Sequence, residues 1–152
     1  MKNIAKLLEV SMAGTQLEKA KAIAMLVHAN QYRRDGVTPY IKHVMDVAER
    51  VRSEGEWTQA IAWLHDALED SALTSNDLKE AGIDSVIINS VNLLTVYSSD
   101  NYMDKISFVK NDIMARKVKI ADILSNLADS PTNKQIMKYA SALQVLLFKH
   151  AN

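Results

Sequence analysis

The sequence predicts an all-α fold, a single compact helical bundle spanning residues 1–152, and three observations carry that expectation. Only four Gly and two Pro interrupt the chain, so few residues break helices. Apolar side chains recur at three- and four-residue intervals through about 17–31, 40–53, 57–70, 83–95, 101–110, 112–127 and 133–149. Between these segments lie short polar turns, with no repeat, low-complexity tract or linker that would divide the chain.

Taken in order, the first segment ends before the turn Arg34-Asp35-Gly36-Val37-Thr38-Pro39, and the second before Ser53-Glu54-Gly55-Glu56. In the third, Ala60, Ile61, Leu64, Ala67 and Leu68 form one stripe, so a continuous helix over 57–70 would bury that face. Thr74 or Ser75 caps a short helix that stops near Gly82. Val86-Ile87-Ile88 has strand character, but Asn89, Asn92 and the length of the run favour a buried helix. Asp129-Ser130-Pro131-Thr132-Asn133 separates the last two helices, and residues 133–149 form the C-terminal one.

Eighteen basic and eighteen acidic side chains cancel, which argues against nucleic acid or an anionic membrane as a partner gripped by bulk charge. With no Cys, disulfides and thiolate metal sites are excluded, so any metal must rest on His and carboxylates. The N-terminal stretch carries Glu9 and Glu18 and does not read as a signal peptide, and no run approaches a membrane span. A cytoplasmic protein is expected. The sequence gives no oligomeric state.

Three clusters could carry chemistry. In Trp63-Leu64-His65-Asp66-Ala67-Leu68-Glu69-Asp70, a helix would place His65, Asp66, Glu69 and Asp70 opposite the apolar stripe. This is either a preorganised metal site or a solvated acidic face with one chance histidine. Adjacent helical residues diverge by about 100 degrees, so other helices must complete any ligand set. Asp122 and Asn126 lie one turn apart in the apolar run Val118 to Leu127. A carboxylate there is costly unless it is paired or bound to a cation, and pairing with Lys119 or capping a neighbouring helix is the alternative to a metal. The third cluster runs from Gln31-Tyr32-Arg33-Arg34 to Pro39-Tyr40-Ile41-Lys42-His43. It offers guanidinium groups suited to phosphates and bases, together with one histidine. His28 is expected to pack at the core edge, and His150 is set aside.

The order of these pieces resembles the HD-domain metal-dependent phosphohydrolases. More narrowly it resembles the hydrolase domain of the RelA/SpoT proteins and the small alarmone hydrolases, from about residue 20 to 127. The matching motifs are the Arg33-Arg34 turn leading to His43, the His-Asp-x-x-Glu-Asp run from His65 to Asp70, and Val-Lys-Ile-Ala-Asp-x-x-x-Asn from Val118 to Asn126. The resemblance implies that His43, His65, Asp66 and Asp122 ligate one divalent ion, Mn2+ in that family. Glu69 and Asp70 would position or deprotonate the attacking water. Arg33 would stack on a nucleotide base, Arg34 and Lys42 would contact phosphates, Asn126 would hold the ribose or support Asp122, and Tyr139 would close the pocket. The implied reaction is removal of the 3'-pyrophosphate from guanosine tetra- or pentaphosphate, a small-molecule substrate. Ile123 and Ala128 stand where the family usually carries basic residues. They motivate the alternative of a phosphatase for another phosphorylated nucleotide, and a non-catalytic nucleotide sensor is the third reading.

Overall fold

The computed structural model describes Glu9 and residues 14–148. Among them are eight α-helices: α1 (Gln16–Val27), α2 (Ile41–Arg50), α3 (Glu56–Leu64), α4 (Ser75–Glu80), α5 (Ser85–Leu94), α6 (Tyr102–Val109), α7 (Ile113–Leu127) and α8 (Asn133–Leu147), with a 3-10 turn at Arg52–Glu54. There is no strand among the described residues. None of these helices is long and apolar enough to cross a membrane.

Most helix starts are fixed by polar side chains that satisfy free backbone N–H groups. Thr15, Asp84, Asn101 and Asp112 each accept such a bond at the head of α1, α5, α6 and α7. Thr74 with Asp77, and Thr132 with Gln135, form capping boxes for α4 and α8. The run Val86-Ile87-Ile88 is helical. Its Ile87 and Ile88 are buried with Val91 and Leu94 one turn on.

Helix α3 lies at the centre and packs against α1, α2, α5 and α7. Its Ala60, Ile61, Ala62 and Leu64 have no exposed surface. The small alanines let neighbouring backbones approach while Ile61 and Leu64 fill the space between them. Around this axis the core gathers Ile23, Val47, Leu78, Ile87, Ile106, Val118, Ile123 and Leu146.

The continuous helix expected over 57–70 is corrected by the structure. Helix α3 stops at Leu64, and residues 65–69 form a turn. The His65 Nδ1–H donates to the Ala62 carbonyl at 2.6 Å. It thereby occupies the acceptor that a continuing helix would offer to the N–H of Asp66. The chain tightens, with Ala67 N–H bonded to Leu64 O, before Asp70 N–H bonds back to Asp66 O.

The segment between α1 and α2 is a closed loop. Arg33 N–H donates to Thr38 O, and Tyr40 N–H donates to Gln31 O. Asp35 Oδ1 accepts from the N–H groups of Val37 and Thr38, while its Oδ2 accepts from the Thr38 hydroxyl. Gly36 adopts φ +71° at the tip, a conformation that a Cβ would strain. Arg33 and Arg34 are thus held on a shaped loop.

Candidate metal centre

Helix α2 contributes His43, the turn after α3 contributes His65 and Asp66, and α7 contributes Asp122. Ligand atoms of His43, His65 and Asp66 all lie within 4.8 Å of one another. Asp122 stands beside the two histidines of this group: its Oδ1 is 3.0 Å from His43 Nε2 and 3.5 Å from His65 Nε2. Asp66 Oδ2 is 2.9 Å from His65 Nε2 and 3.8 Å from His43 Nε2. Ligands held roughly 2.1 Å from one ion stand about 3 to 3.5 Å apart at neighbouring vertices, so this spacing suits a single cation.

The turn at 65–69 explains how two neighbours in sequence serve one centre. On a regular helix their side chains would diverge; here His65 Nε2 and Asp66 Oδ2 converge.

The chemistry of the donors fits a divalent ion. His65 Nδ1 carries its proton toward Ala62, which leaves the Nε2 lone pair facing the carboxylates. That nitrogen is buried and forms no hydrogen bond among the described residues. Burial opposes charge on His65, but Asp66 and Asp122 overcome it and hold its pKa well above the usual range. The field at Nε2 therefore favours a positive charge. Burial likewise opposes ionisation of Asp66, and His65 beside it prevails in keeping that carboxyl below its ordinary value.

Neighbouring groups orient the candidate ligands. His43 Nδ1 is 3.0 Å from Ser125 Oγ. Asp46, one turn after His43, accepts from Arg50 Nε at 3.0 Å, and Ser125 and Arg50 lower its pKa against burial. Tyr40 donates to Asp66 Oδ2 at 2.6 Å, and its ring packs against His28 and His43. Asp122 Oδ2 is 2.9 Å from Lys119 Nζ, and its Oδ1 accepts from Asn126 Nδ2 at 3.2 Å. The lysine pair and the metal-facing geometry, alternatives in sequence, coexist on the two oxygens of Asp122. Burial opposes its ionisation, and Lys119 foremost drives its pKa well below the usual range.

Glu69 and Asp70 reach solvent at the edge of this cluster. Partial burial and the nearby Asp66 raise Glu69 to about 7 and Asp70 to about 6. A cavity of about 380 Å³ beside Asp70 is lined by Gln31, Tyr32 and Tyr40 as well.

The other residues singled out in sequence divide between two places. Arg33 Nη2 is bonded to Asp129 Oδ2 at 2.8 Å and to Asn126 Oδ1 at 3.3 Å, and its guanidinium lies 5.7 Å from the Tyr40 ring centroid. Arg34 donates to Gln135 Oε1. Tyr139 is half-buried, and the charges acting on it come from Asp122, Lys119, Arg33 and Arg34. Lys42 stands apart: it lines a separate groove of about 810 Å³ with Lys21, Asp46, Arg52, Gln59 and Trp63. His28 is buried, bonds Gln31 through Nδ1, and is absent from the ligand cluster. His150 lies outside the described residues.

Sequence reasoning missed Tyr40, Asp46 and Ser125. Their signal was spacing: Asp46 follows His43, and Ser125 follows Asp122, by three residues on the same helix face. It also missed Lys138, whose Nζ is 4.1 Å from the Tyr102 ring centroid on the Asp122 side of the bundle. Ile123, which stands where a basic residue was expected, is fully buried in the core.

No protein-family model matches the chain. Among solved structures, one described as a metazoan ortholog of SpoT that hydrolyses ppGpp and acts in starvation responses superimposes with a TM-score of 0.69. The chain has the fold of that protein. The match covers 88% of this chain and 84% of the other, at 22% sequence identity. The all-α fold expected of an HD-domain hydrolase is therefore the one adopted here.

Proposed function

We propose that the chain is a divalent-metal-dependent phosphohydrolase that removes the 3'-pyrophosphate of guanosine tetra- and pentaphosphate. The observation that carries this reading is the convergence of His43, His65, Asp66 and Asp122 beside the raised carboxyls of Glu69 and Asp70. The solved neighbour is described as a ppGpp hydrolase, which supports the choice of substrate.

These four side chains would hold the ion, Mn2+ by family resemblance, and a bound divalent ion would supply charge neutralisation of phosphate oxygens and acidification of water. Glu69 and Asp70 sit near neutrality in proton affinity, so either can accept a proton from the attacking water. The water oxygen bonds to the phosphorus carried on the nucleotide 3'-oxygen. That P–O bond breaks, the 3'-oxygen takes up a proton, and pyrophosphate leaves with a nucleoside diphosphate or triphosphate as co-product. Arg33, with its guanidinium plane fixed by Asp129 and Asn126, would stack on the base. Asn126 would meet the ribose, Arg34 a phosphate, and Tyr139 would close the pocket. Lys42, in its separate groove, has no part in this assignment.

The test is purified protein with Mn2+ and guanosine tetraphosphate. Pyrophosphate and guanosine diphosphate are the expected products. Metal bound with no pyrophosphate release would reject this substrate. A second reading, hydrolysis of another phosphorylated nucleotide, is favoured by buried Ile123 and by Ala128, which offer no positive charge. A nucleotide panel separates the two, since this reading predicts turnover of monoesters.

A further inference from the structure

We infer that Lys138, Lys119 and the Tyr102 hydroxyl form a subsite for the phosphate next to the one under attack, making the enzyme selective for pyrophosphoryl over monophosphoryl groups. This rests on the phosphohydrolase reading and names a specificity device within that site.

Two ammonium groups flank one tyrosine. Lys138 Nζ lies 4.1 Å and Lys119 Nζ 5.6 Å from the Tyr102 ring centroid. Lys138 is also 5.7 Å from the Tyr139 ring centroid. Among the described residues Lys138 forms no ion pair or hydrogen bond, only these two ring contacts. It is exposed to solvent and lies next to Tyr102, whose ring also meets Lys119, the partner of Asp122 Oδ2. Partial burial and the repulsion of Lys119 lower its pKa.

Tyr102 supplies an independent observation. Its hydroxyl is buried and has no hydrogen-bond partner among the described residues. A buried phenol without a partner is costly unless something completes it. A phosphate oxygen bridging the hydroxyl and Lys138 would do so, and would also relieve the repulsion between the two ammonium groups. Lys119 already holds Asp122 Oδ2, so its neighbour Lys138 is the cation left to take the additional anion. A monophosphoryl group seated at the His/Asp cluster has no second phosphate to offer, and so gains nothing from Lys138.

The experiment measures binding of inorganic pyrophosphate and inorganic phosphate to the full chain at saturating Mn2+, by calorimetry, for wild type, Lys138→Met and Tyr102→Phe. Lys138→Met should weaken pyrophosphate about tenfold, as expected for a lost charge-assisted hydrogen bond. Phosphate and Mn2+ affinities should stay unchanged, and Tyr102→Phe should weaken pyrophosphate to a smaller degree. Unchanged pyrophosphate affinity in Lys138→Met overturns the subsite, and so does an equal loss for both anions. If no nucleotide is hydrolysed while pyrophosphate binding still depends on Lys138, the subsite stands and the phosphohydrolase reading fails.

Discussion

Asp122 uses its two oxygens differently, one toward the imidazoles and one toward Lys119, and a substitution should expose both roles. Asp122→Asn retains the shape and should lower Mn2+ affinity at least 100-fold by removing an anionic ligand, read by metal analysis after dialysis. His28→Ala should keep its metal while losing about 2 kcal/mol of stability from the cavity left in a buried site. Metal loss in the His28 variant, with retention in His43→Ala, would show that the wrong histidine was assigned. Glu69 makes a pH-dependent prediction. Its folded pKa is raised to about 7, so its contribution is fully present below the unfolded value and declines as pH rises through 7. In metal-free protein, Glu69→Gln should therefore match wild type more closely at pH 5 and exceed it at pH 8. The gain is about 1 kcal/mol once solvent screening of this exposed carboxyl is discounted. A urea series at the two pH values checks it, and an equal offset at both would refute the raised carboxyl. His43, His65, Asp66 and Asp122 were legible as candidate ligands because His and Asp are conspicuous in a helical, cysteine-free chain. The supporting parts of Tyr40, Asp46 and Ser125 were not, because a three-residue spacing from His43 or Asp122 is too common to stand out until the helices are packed.

Helix α7 carries Asp122, Ser125 and Asn126, and its start depends on Asp112. That carboxylate accepts from Ala115 N–H at 2.9 Å and from the Ser90 hydroxyl at 2.8 Å. Asp112→Ala should cost about 1 to 2 kcal/mol by removing a cap and leaving the Ser90 hydroxyl unpartnered. Chemical denaturation measures the loss, and an undiminished midpoint would count against the cap. Helix positions followed from apolar spacing and, for α4, from the capping residue Thr74. The end of α3 did not, and the reason is specific. Ala67 and Leu68 continue the buried stripe, and no Gly or Pro marks a stop. The helix ends through a side-chain bond from His65 to Ala62, which competes with the backbone ladder in a way that periodicity cannot register.

At the scale of the molecule, the candidate centre ties together α2, α7 and the turn after α3, all of which pack on one core. An ion held there binds only the folded state, so Mn2+ should raise the melting temperature and a chelator should lower it. At 100 times the dissociation constant the stabilisation is about 2.7 kcal/mol. Thermal unfolding with and without Mn2+ tests this, and an identical transition in both would argue against a metal centre.

The broken end of α3 also sets a limit on how this protein can be improved. Residues 65–69 include Ala, Leu and Glu, which are strong helix formers, so the local preference opposes the shape that the site requires. A partly ordered chain that recovers its helices before its tertiary packing would run α3 onward and splay His65 from Asp66. Such a state would look native by far-ultraviolet circular dichroism and yet have lost the convergence of the candidate ligands. Efforts to harden the protein by favouring helix across this segment would strengthen that same competitor. Here, rigidity of the wrong kind would be bought with function.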